Sequence, residues 1–160
     1  MTSARKHYWL MKTEPEAFSI DDLAKLGRSP WDGVRNYQAR NHMQAMRAGD
    51  GVLFYHSSTD DRGVVGLAQV VREAYPDHTQ FDPRSQYFDK TAKKAAPRWF
   101  MVDVEFVEKF PKLLPLSTIK ADPQLADMLV VKRGMRLSVQ PVELKHMRRI
   151  LKHVGAHTPL

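Results

Sequence analysis

Short apolar runs punctuated by Gly, Pro and Asp organise this chain. Tyr8-Trp9-Leu10-Met11-Lys12 is apolar and aromatic-rich and predicts a buried strand. Ser19-Ile20-Asp21-Asp22-Leu23 predicts a helix start, with Ser19 as cap, acids in the first turn and Gly27 as the stop. Tyr37 to Met46 predicts a second helix with Met43 and Met46 on its apolar edge and Gly49 closing it. Gly51 to His56 and Gly63 to Val71 predict strands, the latter interrupted by Gly66 as a bulge or close approach. Residues 74–98, with Pro76, Asp77, Asp82, Pro83, Asp89 and Pro97, predict a long irregular excursion of the kind that is functional or mobile. Trp99 to Phe110 alternates as a strand, and Leu116 to Met128 carries two short helical pieces, the second opened by Asp122-Pro123. Met135 to Val139 predicts a last strand. Glu143 to Val154 predicts an amphipathic helix with Leu144, Met147, Leu151 and Val154 on one face.

Strands and helices are interspersed without regular βαβ alternation. That pattern predicts an α+β fold built on a mixed, strongly curved sheet or small barrel. No internal repeat, long linker or composition break divides residues 1–160, so one domain is expected.

Composition narrows the function classes. No cysteine is present, which excludes disulfides, thiolate metal sites and a cysteine nucleophile, and fits a reducing compartment. The N-terminal stretch lacks the apolar core of a signal peptide, and no run approaches the ~20 apolar residues of a membrane span, so a cytoplasmic protein is expected. The net charge of +7 favours polyanionic partners, nucleic acid first. Basic residues cluster from Lys132 to Lys152 and at Lys90, Lys93, Lys94 and Arg98.

No Gly-rich phosphate loop, HExxH pair or GxSxG elbow is present, and the scattered histidines predict no metal site. His42 and His56 read as structural hydrogen-bonders. Two stretches stand out. In Lys12-Thr13-Glu14-Pro15 an apolar strand ends in polar groups held by Pro15. In Trp31-Asp32-Gly33-Val34-Arg35-Asn36, Trp31 is either a core plug or a ligand wall, and Gly33 lets another group approach the backbone. Asn36 reads as a helix cap, and Arg35 and Arg40 as phosphate ligands or loop braces. Trp99 is either core or one side of a base-stacking slot, where stacking is worth about 1–3 kcal/mol per base.

These stretches, with Ala39-Arg40-Asn41, Gly49-Asp50, Phe54-Tyr55-His56-Ser57, Gly63 to Ala68, Tyr75-Pro76-Asp77, Val102-Asp103-Val104 and Arg136 to Val142, resemble the EVE domain over nearly the whole chain. That family is PUA-like and similar to the YTH readers of methylated RNA. The resemblance implies a PUA-like curved sheet or pseudo-barrel flanked by helices. It also implies a pocket for a flipped, modified nucleobase of DNA or RNA, in a non-catalytic, cofactor-free, metal-free and monomeric module. Carried over, the pocket comprises Lys12, Thr13, Glu14, Trp31, Asp32, Asn36, Tyr55, His56, Ser57 and Trp99, with Tyr87 or Phe88 as alternatives to Trp99 for the second wall. The nucleic-acid backbone falls to Arg35, Arg40, Lys93, Lys94, Arg98 and Arg133.

The enzymatic alternative is a small ASCH-type hydrolase acting on modified nucleosides through Lys12, Thr13 and Glu14. Strand alternation sends Lys12 and Glu14 to one side and Thr13 to the other, a poor triad unless the chain bends at Pro15.

Overall fold

The computed structural model describes residues 6–160. Residues 1–5, on which part of the expectation of no leader rests, lie outside the described residues. The strands are β1 (Tyr8–Thr13), β2 (Arg28–Pro30), β3 (Gly51–His56), β4 (Gly63–Pro76), β5 (Phe100–Pro115) and β6 (Val139–Val142); the helices are α1 (Ile20–Leu26), α2 (Tyr37–Ala45), α3 (Leu116–Ala121) and α4 (Leu144–Val154). Short 3₁₀ turns cover His78–Phe81, Pro123–Leu125 and Leu129–Val131.

The strands form one mixed sheet in the order β2-β5-β4-β3-β1-β6. β1 and β3 run parallel, while the other pairs are antiparallel. The sheet is open, so of the two expected forms the curved sheet is the one adopted. β1 is apolar at consecutive positions because both its faces are covered. Trp9 and Met11 enter a core with Ile20, Leu23, Met43 and Phe54, whereas Tyr8 and Leu10 enter a second with Leu53, Ile119, Met147 and Ile150.

Local chemistry sets the helix ends. Ser19 and Asp22 form a reciprocal capping box at α1, and Gly27 ends it at φ 76°. Gly66 is both bulge and close approach: the β3–β4 and β4–β5 registers slip beside it, and a Cβ there would lie 2.6 Å from Ile20.

Several boundaries differ from expectation. β4 and β5 extend through Pro76 and Pro115, because they pair along their length with bulges that the alternation pattern hides. α2 ends at Ala45 with Met46 as its C-cap, so Gly49 does not close it and instead shapes the turn into β3 at φ 96°. The last strand is Val139–Val142 rather than 135–139. Residues 135–138 peel away beside β1, where Lys12 N donates to Ser138 O at 2.8 Å and Lys12 Nζ to Met135 O at 3.3 Å. Pro141 is tolerated because β6 is an edge. α4 buries His146, Met147, Ile150 and Leu151, while Leu144 is exposed. His42 packs 5.8 Å from the Trp9 ring with its buried Nε2 unbonded, so it is not the hydrogen-bonder expected.

Candidate nucleobase-binding groove

Parallel pairing places the C-terminal ends of β1 and β3 side by side. Lys12 is in register with Tyr55, and Ser57 N donates to Thr13 O at 2.9 Å. Beyond Thr13 the chain leaves the strand and turns, with Ala17 N and Phe18 N both donating to Glu14 O at 2.9 Å. That turn cancels the strict alternation, so Lys12, Thr13 and Glu14 all line one groove. Their side chains form no relay: Lys12 Nζ bonds Met135 O and Thr13 Oγ1 bonds Glu14 O.

The groove encloses about 1760 Å³. Of the pocket residues expected from sequence, Lys12, Thr13, Glu14, Trp31, Asp32, Tyr55 and Ser57 line it. Trp31 belongs to the core and also borders the groove. It is 7% exposed, packs edge-on against Phe18 and Phe54, and is one of the residues lining the groove.

The segment after Trp31 is bound to a distant one. Asp77, buried, accepts from Gly33 N at 2.8 Å, Arg35 Nη1 at 3.1 Å and Thr79 N at 2.8 Å. Arg35 also donates to Val34 O, to Thr79 Oγ1 and twice to Tyr87 O. All five guanidinium N–H groups are thereby used. Arg35 is a loop brace rather than the phosphate ligand the backbone assignment made it.

Tyr87 lines the groove beside Trp31, its ring directly over Gly33. Trp99 does not reach the groove. It is buried, stacked on Tyr37 at 4.8 Å, with Nε1 donating to Asp89 at 2.8 Å. The Thr91 hydroxyl bond first, then that from Trp99, hold the Asp89 carboxyl down at about 2. Phe88 is exposed and outside the lining. Asn36 caps α2 through Ala39 N at 2.9 Å, and His56 Nε2 accepts from Ile20 N at 3.2 Å; neither lines the groove. Burial lowers the His56 pKa, consistent with an acceptor ring.

Of the backbone assignments, Arg35 and Arg133 line the groove, whereas Arg40, Lys93, Lys94 and Arg98 do not. Arg40 sits 4.8 Å from the Tyr37 ring and donates to Arg98 O. The sequence reading missed Arg62, Lys120, Lys132 and Arg136, which join Arg133 on the groove wall. The basic run from Lys132 onwards was a usable signal for two of them; Arg62, in the β3–β4 turn, had none. α4 buttresses this wall. Asp122 accepts from Arg149 Nε at 2.7 Å and pairs with His153 Nε2 at 2.6 Å, and Asp127 pairs with His146 Nε2 at 2.7 Å.

Electrostatics inside the groove are uneven. Loss of hydration, then the Asp77 carboxylate, pushes the Asp32 pKa up. Burial, then the Arg62 guanidinium, lowers that of Lys12. Burial raises that of the Tyr55 hydroxyl. Away from the groove, Asp127, Glu143 and His146 bring ligand atoms within 4.8 Å of one another. Lys145 Nζ already supplies a cation there, 3.2 Å from Asp127 and 3.5 Å from Glu143.

An open mixed sheet with a groove lined by aromatic and basic residues at its parallel strand ends defines an α+β domain. The chain belongs to the EVE domain family, whose model matches residues 7–153. Human thymocyte nuclear protein 1 is 42% identical over 154 residues, covering 84% of this chain and 68% of the human protein. A solved structure of a hypothetical protein from Leishmania major superposes with TM-score 0.91 at 52% identity, covering 94% of this chain and 96% of that one. The crystal structure of human THYN1 in complex with 5-methylcytosine-containing DNA superposes with TM-score 0.89 at 38% identity, covering 96% of this chain and all of that one.

Proposed function

We propose that this chain is a non-catalytic module that takes a flipped, modified nucleobase of DNA or RNA into the groove at the ends of β1 and β3. The observation that carries the reading is the meeting of Trp31 and Tyr87 with the polar strand ends in a single groove. The human relative's complex with 5-methylcytosine-containing DNA supports it and makes a 5-substituted cytosine the first ligand to test.

In this reading Trp31 and Tyr87 are the aromatic walls, Tyr87 taking the place first expected of Trp99. Lys12, Thr13, Glu14, Asp32, Tyr55 and Ser57 meet the polar edge of the base. Asn36 and His56 support the site from behind through α2 and α1. Arg62, Lys120, Lys132, Arg133 and Arg136 hold phosphates, and Arg40, Lys93, Lys94 and Arg98 form an outer basic surface. A polar-edge site rejects ligands that leave its buried groups unpaired. Small-molecule sites enclose roughly 300–1,000 Å³. A groove of 1760 Å³ has room for neighbouring nucleotides as well as the base, which favours a polymer over a free nucleoside. The reading includes one domain over residues 1–160, acting as a monomer in the cytoplasm. Among the described residues no helix is long and apolar enough to cross a membrane.

The test is an affinity panel of matched single- and double-stranded oligonucleotides carrying cytosine, 5-methylcytosine or other modified bases, with product analysis after incubation. Saturable, modification-dependent binding without product is expected. Equal affinity across the panel sinks the modification reader, and turnover sinks the non-catalytic reading.

A further inference from the structure

Two aromatic side chains are exposed among the described residues, Tyr37 and Phe88. The Tyr37 ring is occupied. It stacks on Trp99 at 4.8 Å, carries the Arg40 guanidinium at 4.8 Å and accepts a hydrogen bond from Arg98 at 3.3 Å. Phe88 is 41% exposed and, among the described residues, takes part in no aromatic or cation–π pair. It sits at the rim of the groove: Gln86 and Tyr87 line the groove and Phe88, the next residue, does not. Consecutive α-carbons are about 3.8 Å apart, so the exposed ring starts beside the wall.

The backbone that carries this ring is pinned on both sides. Tyr87 O accepts from Arg35 at 3.0 and 2.8 Å, Phe88 N donates to Ser85 O at 3.1 Å, and Asp89 N donates to Gln80 O at 3.0 Å. Gln80 is fully buried; its side chain donates to Asp77 O and Trp99 O and accepts from Arg98 N and Trp99 N. The acids of the loop are engaged within it or by Trp99: Asp82 accepts from Arg84, and Asp89 from Thr91 and Trp99. Lys90, Lys93 and Lys94 are exposed and, among the described residues, form no ion pair. A rigidly held apolar ring among unpaired cations is complementary to a base stack between phosphates.

We propose that Phe88 is a wedge that enters the base stack of a DNA duplex and fills the gap left by the flipped base. The proposal rests on the base-binding reading above and narrows its ligand to base-paired DNA. Taking a base out of a duplex costs its pairing and its stacking. An apolar side chain inserted at that step recovers part of the stacking and blocks the base from returning. Tyr87 and Phe88 thus divide the work: Tyr87 receives the base in the groove, and Phe88 occupies the place it left. Lys90, Lys93 and Lys94 meet duplex phosphates beside the wedge.

The test uses the full chain and three DNA ligands of one sequence carrying 5-methylcytosine: a matched duplex, a duplex with adenine opposite the methylated base, and the single strand. Phe88→Ala should weaken binding to the matched duplex at least about tenfold, within the range of one lost stacking contact, and binding to the single strand less than about threefold. The mismatched pair is already weakened, so the loss there should be smaller than in the matched duplex. Phe88→Trp should keep duplex binding. Melting temperatures check folding, and Phe88→Gln replaces Phe88→Ala if that variant is destabilised. Equal losses on duplex and single strand overturn the wedge, because the ring then stacks on a strand without holding a duplex open. Unchanged duplex affinity in Phe88→Ala, or wild-type binding confined to the single strand, also overturns it and leaves the base-binding reading standing. If the wild type binds none of the three, both fall.

Discussion

Tyr87 lies over the α-carbon of Gly33, where a Cβ would meet the ring at 2.6 Å. Gly33 also has φ 81°, a left-handed conformation that costs other residues about 1–2 kcal/mol. Gly33→Ala should therefore lower stability and displace the ring that walls the groove. Tyr87→Ala should lose ligand affinity to a similar extent with a smaller loss of stability. Thermal melts and oligonucleotide titrations of both variants check this. A destabilised Gly33→Ala with unchanged affinity means that Tyr87 is not a wall.

Asp77 should be the electrostatic keystone of the loop. Asp77→Ala leaves the Arg35 charge without its carboxylate, a change worth about 3–5 kcal/mol for a buried pair. Burial by itself raises the Asp77 pKa, but hydrogen bonds from Thr79, Gly33 and Arg35 win and hold it below the ordinary 3.8. The folded pKa is thus below the unfolded one, so the stabilisation is fully present above the unfolded value and is lost as pH falls through the folded value. Urea melts should show the gap between wild type and Asp77→Ala constant from neutrality to about pH 5 and shrinking below 3.8. A gap independent of pH down to acid unfolding contradicts this account.

Asp32 should behave in the opposite sense. Its folded pKa is raised by lost hydration and by Asp77, so its ionised form disfavours the folded state at neutral pH. Asp32→Asn should raise the melting temperature at pH 7 and, on the proposed base-binding reading, weaken ligand binding. A variant that is both less stable and fully competent to bind assigns Asp32 a structural role instead.

Trp31 contributes to both core and groove, so Trp31→Ala should cost about 3–5 kcal/mol as well as binding. The stability cost comes from the edge-on packing of Trp31 against Phe18 and Phe54. Trp31→Leu is the cleaner probe. A methyl-sized group gains about 0.8 kcal/mol on burial, roughly a fourfold preference, and needs the flat wall to gain it. The ratio of affinities for methylated and unmethylated oligonucleotides should collapse towards one. An intact ratio means that the wall does not sense the modification.

The two basic surfaces should separate in salt titrations. Each phosphate contact contributes a log–log slope of about 0.7 on a single strand. Replacing Lys132, Arg133 and Arg136 by Ala should flatten the slope by about 2 for three lost contacts. Replacing Lys93 and Lys94, which lie outside the groove, should change it less. The reverse ranking moves the phosphate path to the outer surface.

What the sequence determined by itself was local. Ser19 and Asp22, three residues apart, cap α1, and the adjacent Gly27 stops it. The consecutive apolar residues of Tyr8 to Met11 required a strand covered on both faces, and the polar end at Lys12 to Glu14 marked a stretch that lines the groove. Family motifs carried Trp31, Asp32, Tyr55 and Ser57 to the groove as well. Tertiary structure decided the rest. Arg35 offered the same five donors whether it met phosphate or protein, and only the approach of Asp77, 42 residues away, committed them to a brace. Trp99 and Tyr87 were both aromatic residues of one irregular segment. Stacking on Tyr37 and the bond to Asp89 turned Trp99 away, while the bare α-carbon of Gly33 admitted Tyr87. Propensity and capping act within a turn or two of chain, so they are legible in sequence. The partner of a side chain depends on which distant segments the folded sheet brings within a few ångströms, and the local pattern does not encode that choice.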